Sequence, residues 1–205
     1  MSPAIPSALC NTSFGNAVGF NDGWRFMPAD SAAMSLPEYP DSTWRQLSLP
    51  HDWSIEMLPA PTLNSCTGYY PGGIGWYRKT FLTPDDGAER HFIYFEGIYN
   101  RSEVYLNGHL LGRRPNGYVS FAYNMTPWLR PAGEPNTLAV RVDHSREADS
   151  RWYTGSGIYR DVWLVSASET RFDLWGIGWR ADRITDRSAD ITVDVRALDE
   201  SPRQG

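Results

Sequence analysis

The sequence predicts an all-β sandwich, and three observations support that prediction. Fifteen prolines and eighteen glycines divide the chain into short runs rich in β-branched and aromatic residues. No long segment has the periodicity of an amphipathic helix, and the sequence contains no internal repeat. The dipeptide Asn107-Gly108 separates two apolar runs and supplies the positive φ angles that a type I′ hairpin turn requires.

The predicted strands follow one another at a spacing typical of a sandwich. Ser102–Gly112 forms the hairpin, and the other strands are predicted near Trp76–Leu82, His91–Phe95, Val119–Tyr123, Thr137–Val142 and Asp161–Val165. One short helical turn is expected between them, because Thr126 is suited to cap a helix and Pro127 suits its first position.

The pattern changes at about Glu169. Two further strands are predicted, at Trp175–Arg180 and Ile191–Ala197, and the second alternates apolar and polar residues. Two strands cannot close a hydrophobic core. We therefore expect an N-terminal extension over residues 1–18, a β-sandwich over residues 19–168, and the incomplete start of a second domain over residues 169–205.

The composition and charge of the chain indicate which kinds of partner and compartment are expected. The net charge of −5 and isoelectric point near 5.3 disfavour nucleic acid, because the basic residues are scattered along the chain. The first ten residues lack both a basic leader and an unbroken apolar run, which argues against a signal peptide or membrane partner and favours the cytoplasm. Cys10 and Cys66 are too few for a disulfide framework, so free thiols are expected.

The segment Asp149–Trp163 is the most informative part of the chain. It crowds aromatic rings, guanidinium groups and carboxylates around two glycines, which predicts a tight loop leading into a strand. Aromatic faces suit the C–H side of a sugar ring, and Arg and Asp suit its hydroxyl groups. The composition therefore fits a carbohydrate better than an apolar ligand.

Within this segment, the run Ser150-Arg-Trp-Tyr-Thr-Gly-Ser-Gly-Ile-Tyr-Arg160 resembles a signature of glycoside hydrolase family 2, especially of its β-galactosidase branch. Five other segments agree in the same order, namely Phe20–Phe26, Leu49–Trp53, Gly72–Phe81, Phe95–Gly108 and Asn136–Val142. The resemblance implies a jelly-roll-like, galactose-binding-like β-sandwich. In such enzymes an immunoglobulin-like sandwich and a catalytic (β/α) barrel follow it, so this chain is expected to be a fragment of a longer retaining glycosidase.

The resemblance also implies the roles of individual residues. Both catalytic glutamates of the family lie on the barrel, so no catalytic residue is assigned here. The loop before Gly157 helps to bind the galactose unit at the barrel mouth, which makes Asp149, Arg151, Trp152 and Tyr153 the substrate-binding candidates. Where some members place a sodium-binding aspartate, this chain has Ser150, so no cofactor is predicted here and any sodium or magnesium would belong to the full enzyme.

The expected partners are a β-galactoside, the enzyme's own barrel and further copies of the full-length protein.

In the resembled enzymes a second loop supplies an asparagine to the sugar site. The matching stretch here is Pro71–Ile74, so any contact of this stretch with the sugar would come from the backbone. Three alternatives stay open: a free-standing carbohydrate-binding module, a structural module without a ligand, and a parent of the β-glucuronidase or β-mannosidase type.

Other catalytic interpretations have less support from the residues. A catalytic pair is not favoured among the loop and strand carboxylates Asp143, Glu147, Asp149 and Asp161. The run Gly155–Gly157 lacks the spacing of a nucleophile elbow and predicts a tight turn. No metal-ligand spacing is present among the four His and two Cys.

Several conspicuous residues are predicted to be structural. His51 and Asp52 would point to opposite sides of an extended chain, with their polar groups securing loop backbone. Arg160 and Asp161 are predicted to tie strands together. Five tryptophans in apolar or strand contexts are predicted to be core or interface residues, namely Trp24, Trp44, Trp53, Trp128 and Trp163.

Overall fold

A computed structural model describes residues 14–146 and 152–201. These residues form an antiparallel β-sandwich followed by a long β-hairpin, which confirms the all-β prediction. The strands are β1 Asn16–Gly19, β2 Trp24–Met27, β3 Arg45–Leu47, β4 Gly73–Leu82, β5 Arg90–Phe95, β6 Ser102–Leu106, β7 His109–Arg114, β8 Phe121–Asn124, β9 Pro135–His144, β10 Val162–Ala167, β11 Thr170–Ile184 and β12 Ala189–Asp199.

Two sheets make the sandwich. One has the strand order β1-β10-β5-β8, and the other has the order β3-β2-β4-β9-β6-β7. The longest pairing joins β4 to β9 over ten residues each, from Gly73 opposite His144 to Leu82 opposite Pro135. This pairing fixes the two ends of the sandwich, and the end at His144 carries the candidate site.

The main hydrophobic core lies between the two sheets. Its largest fully buried side chains include Trp24 and Tyr77 from the larger sheet and Phe95 and Phe121 from the smaller one. Burying side chains of this size contributes about 1.5–3 kcal/mol each to folding. The predicted burial of Trp24, Trp44, Trp53 and Trp163 is confirmed.

Trp128 does not lie in the core. It is 43% exposed and stacks on His109, with ring centroids 4.1 Å apart. It ends the short 3₁₀ turn Thr126–Trp128, which lies at the surface beside the β6–β7 hairpin. Of the two predicted positions, core or interface, the core was therefore wrong for this residue, and an interface stays a prediction.

A second buried cluster covers the outer face of the larger sheet. Met34 and Trp44, which belong to the segment that connects β2 to β3, cluster with Trp76 and Ala139 of the sheet. Arg78, which is 1% exposed, holds this segment by donating to the carbonyl oxygens of Met34, Leu36, Pro37 and Tyr39 and to the Asp41 carboxylate.

The β6–β7 hairpin forms as predicted. Asn107 has a φ of 51° and Gly108 a φ of 84°, the positive values of a type I′ turn. The 3₁₀ turn at Thr126 also forms, but Thr126 is not its cap. Its hydroxyl accepts the backbone N–H of His91, while the Asn124 side chain accepts the N–H of Thr126.

β11 and β12 pair with each other and, among the described residues, with no strand of the sandwich. Arg90 connects the hairpin to the sandwich through ion pairs with Glu169 at 2.7 Å and Glu200 at 3.4 Å. One face of the hairpin carries exposed apolar residues, including Trp179 and Val193, which lie opposite each other in the register. The predicted domain boundary at residue 169 stays a prediction.

In the described part of the chain, no helix is long and apolar enough to span a membrane.

Candidate functional site

The candidate site is built on the segment that precedes β10. Its backbone is fixed on both sides: the N–H groups of His51 and Trp53 donate to the carbonyl oxygens of Ile158 and Ser156, at 2.8 and 3.1 Å. On the other side, Tyr99 and Gly157 exchange two hydrogen bonds of 2.9 Å. Three distant segments of the sequence thus meet here.

Asp52 organises the loop. Its Oδ1 accepts the backbone N–H of Ser54 at 3.0 Å and of Ser156 at 2.8 Å, and its Oδ2 accepts the hydroxyl of Tyr153. Hydrogen bonds to a charged acceptor are stronger than neutral ones. The prediction that Asp52 secures loop backbone is confirmed.

A buried hydroxyl pair lies beneath the loop. The Ser156 Oγ, on a fully buried residue, shares hydrogen bonds of 2.6 Å with the Ser54 Oγ and with the His144 Nδ1. Ser54 also donates to the carbonyl oxygen of Pro71. A hydroxyl without solvent access is suited to holding segments together and not to nucleophilic attack on a substrate.

Two glycines allow this close packing. Gly155 has a φ of +75°, and a β-carbon there would lie 2.8 Å from the Asp52 Oδ2. Gly157 has a φ of +129°, and a β-carbon there would lie 2.3 Å from the Tyr77 hydroxyl oxygen. The loop therefore requires glycine at both positions, which confirms the predicted tight turn.

The loop presents aromatic rings to solvent. Trp152 is 63% exposed, and its indole N–H donates to the Tyr118 hydroxyl at 3.2 Å. Tyr153 is 41% exposed and packs edge-on against Tyr70, with centroids 5.4 Å apart. Burial and the neighbouring Asp52 carboxylate raise the pKa of Tyr153 above its ordinary value. We call Trp152, Tyr153, Tyr118 and Tyr70 the aromatic rim.

His51 and Asp52 do not form an acid–base dyad. The His51 Nδ1 shares a hydrogen bond of 2.6 Å with the Tyr77 hydroxyl, and its Nε2 lies 3.1 Å from Glu56. Burial lowers the pKa of His51. Asp52 instead faces Ser156 and Tyr153, so the two side chains serve different segments, as predicted.

The other candidate carboxylates have separate structural partners. Asp143 accepts hydrogen bonds from Ser145 and ion-pairs with two arginines. Asp161 accepts the side-chain amide of Asn21, whose oxygen accepts the N–H of Val162 at the start of β10. Asp161 therefore ties the β1–β2 turn to β10, as predicted. The exposed Arg160 lies over the ring of Tyr159.

Two of the four substrate-binding candidates are placed by the structure. Trp152 and Tyr153 lie side by side on the aromatic rim, whereas Asp149 and Arg151, like Glu147, lie outside the described residues. Over residues 14–146 and 152–201, no group of three or more His, Cys, Asp or Glu side chains could hold a metal ion.

Sequence reasoning missed several supports of the site. Tyr70 and Tyr118 come from loops far away in the sequence, and Ser54 and His144 meet Ser156 only through the fold. A local signal existed only for Asp52, because an aspartate two residues before a serine is suited to an Asx turn. The Pro71–Ile74 stretch uses its carbonyl oxygens internally, since Pro71 accepts from Ser54 and Gly72 accepts from Trp53.

Comparison with known proteins identifies the domain. Residues 75–179, about half of the chain, match the family described as glycosyl hydrolase 2 galactose-binding domain-like. The chain belongs to this family. It corresponds to an N-terminal domain of family 2 glycoside hydrolases.

Individual relatives agree with this assignment. The chain is 43% identical to a β-galactosidase of Bacteroides ovatus over 89% of its own length and 22% of that protein. It is 39% identical to a putative β-glucuronidase of Formosa agariphila over 86% of its length and 17% of that protein. A β-glycosidase crystal structure from Bacteroides vulgatus superposes with a TM-score of 0.86 at 43% identity, over 91% of this chain and 25% of that one. The chain thus spans about a quarter or less of these relatives.

Proposed function

We propose that this chain is a non-catalytic carbohydrate-binding domain of a retaining β-galactosidase, and that its aromatic rim completes the substrate pocket. The observation that carries the proposal is the exposure of Trp152 and Tyr153 on a loop whose backbone is fixed by Asp52. Exposed aromatic faces on a rigid support suit the C–H face of a sugar ring.

The rigidity of the loop supports binding. Hydrogen bonds that Asp52 accepts, together with those made by the backbone of Ser156 and Gly157, hold the segment before a ligand arrives, so binding would not have to order it. Asp149 and Arg151 precede the aromatic pair in sequence. We propose that they bind sugar hydroxyl groups.

Catalysis would come from another domain. A retaining glycosidase needs two carboxyl groups about 5–5.5 Å apart, and the described acidic residues discussed above serve structural partners. We propose that a family 2 barrel supplies the pair and docks beside the loop. The exposed apolar residues Ile55, Met57 and Leu58, which follow Asp52, support such a contact.

The relatives leave two sugar classes for the parent. One is named a β-galactosidase and another a putative β-glucuronidase. We favour galactoside because the loop motif Ser150-Arg-Trp-Tyr-Thr-Gly-Ser-Gly157 is of the β-galactosidase form.

The proposal is tested by titrating the chain with methyl β-galactoside and following the indole N–H signals by NMR. Trp152→Ala should weaken the affinity about 2- to 10-fold, because a stacked aromatic contributes about 0.5–1.5 kcal/mol. Trp128→Ala is the matched control. Trp128 is also exposed, but it lies near Asn107 and thus by the Pro135 end of β9, a full ten-residue strand away from His144. Equal affinities of both variants and the unchanged chain would remove Trp152 from the site.

A further inference from the structure

A pocket lined by four arginines includes the start of the loop that carries Tyr118 of the aromatic rim. Its volume is about 330 Å³, and it opens between the start of β6, the end of β7 and the end of β9. The arginines are Arg101, Arg113, Arg114 and Arg141, and we call this the arginine pocket. Glu103 and Asp143 are the two carboxylates of its lining.

The carboxylates are already engaged. Glu103 pairs with Arg113 at 2.9 Å, and Asp143 lies 3.6 Å from Arg141 and 3.8 Å from Arg101. Arg141 makes its shortest ion pair outside the pocket, where Asp30 accepts two hydrogen bonds of 2.8 Å from it. Cationic groups therefore exceed anionic ones in this pocket.

Two of the arginines keep free donors. Within the described part of the chain, Arg114 forms no ion pair, and its guanidinium lies over the Phe121 ring at 5.2 Å. The Nε of Arg114 and the Nε and Nη2 of Arg101 are buried without a hydrogen-bond acceptor. Leaving charged donors unsatisfied costs free energy, which a ligand with anionic oxygens would recover.

We propose that the arginine pocket binds an anionic substituent of a sugar, a carboxylate or a sulfate. This inference rests on the proposed function in taking the ligand to be a carbohydrate. Guanidinium groups match the planar oxygen pairs of both anions. The overall charge of −5 disfavours an extended polyanion such as nucleic acid.

The chain itself links the pocket to the rim. Pro115, which lines the pocket, accepts the backbone N–H of Arg101 at 3.4 Å. Tyr118 follows three residues later, packs against Tyr99 and accepts the indole N–H of Trp152. Four residues span at most about 14 Å from Arg114 to Tyr118. One short oligosaccharide could therefore stack on Trp152 and place its anionic group in the pocket.

The test compares three ligands at constant ionic strength: methyl β-glucuronide, galactose 6-sulfate and methyl β-galactoside. We expect one or both anionic ligands to bind the 205-residue chain at least about tenfold more tightly than the neutral one. The tighter of the two identifies carboxylate or sulfate. Arg114→Gln should abolish the advantage, while Arg187→Gln, on the exposed β11–β12 turn, should preserve it.

Folding of Arg114→Gln is checked by near-ultraviolet circular dichroism. Should it not fold, salt provides the second measurement, since raising NaCl to 1 M should reduce the anionic advantage in the unchanged chain while leaving the affinity for the neutral galactoside unchanged. Anionic ligands that bind no more tightly than the neutral galactoside would overturn the inference and leave the proposed function standing. Binding of the anions without any response of Trp152 would overturn the proposed function instead.

Discussion

Asp52 is predicted to be the residue on which the order of the loop depends. Its carboxylate accepts three hydrogen bonds, from the N–H groups of Ser54 and Ser156 and from the Tyr153 hydroxyl. Asp52→Ala would leave two N–H groups on buried residues without an acceptor, at about 1–3 kcal/mol each, whereas the exposed hydroxyl can turn to water. We expect the free energy of unfolding to fall by about 2–4 kcal/mol.

The assay is urea denaturation followed by tryptophan fluorescence, with the midpoint and slope fitted together. Asp52→Asn is the matched control, because its amide oxygen still accepts both N–H groups and its nitrogen can donate to Tyr153. It should cost about 1 kcal/mol. A loss below about 0.5 kcal/mol for Asp52→Ala, or equal losses for both variants, would refute the reasoning.

Three further predictions concern the buried charges and phenols. Arg78→Lys should lower the free energy of unfolding by about 3 kcal/mol or more, because an ammonium group cannot replace the planar guanidinium that donates to five acceptors. A loss below about 1 kcal/mol in urea denaturation would contradict this prediction. Lys79, the single lysine of the chain, should titrate with a pKa of about 8, because burial lowers its pKa from 10.5. The free energy of unfolding linked to this group therefore increases as pH rises from about 8 to 10.5. The pKa is measured by ¹³C NMR of the methylated amine, and a value near 10.5 would contradict the prediction. Burial raises the pKa of Tyr77, and burial together with Asp52 raises that of Tyr153, so both stabilise the fold below pH 10.0 and lose this contribution as pH rises above it. Burial also raises the pKa of Tyr105, Tyr123 and Tyr159, so ultraviolet titration should show at least five tyrosines ionising late, and Tyr153→Phe should remove one of them; an unchanged late phase in Tyr153→Phe would contradict this.

The sequence predicted the longer strands and the hairpin because their signals are local. Asn107 and Gly108 carry the turn in their own backbone preferences, and β4 and β9 are long enough to show their apolar pattern. β1, β2 and β3 were missed. They have only three or four residues each, too few for an alternating pattern to be distinguished from a loop.

The candidate site could be predicted only in part. Trp152 and Tyr153 stood out because polar residues and glycine surround them in sequence. Two partners that fix their loop, Asp52 and Ser54, lie 104 and 102 residues before Ser156, and a third, His144, lies 12 residues before it. Nothing in the local sequence of Ser156 indicates His144 or Ser54. The core alternative failed for Trp128 because an apolar neighbourhood in sequence does not show that a 3₁₀ turn ends at the surface.

Above all, we propose that this domain binds sugar and leaves catalysis to another domain. The most direct test is hydrolysis of a chromogenic β-galactoside by the purified 205-residue chain, beside the same chain joined to the catalytic barrel of a family 2 β-galactosidase. We predict turnover by the joined protein and none by the chain alone. Turnover by the chain alone would contradict the account and direct attention to its own carboxylates, Asp143 and Asp161 first.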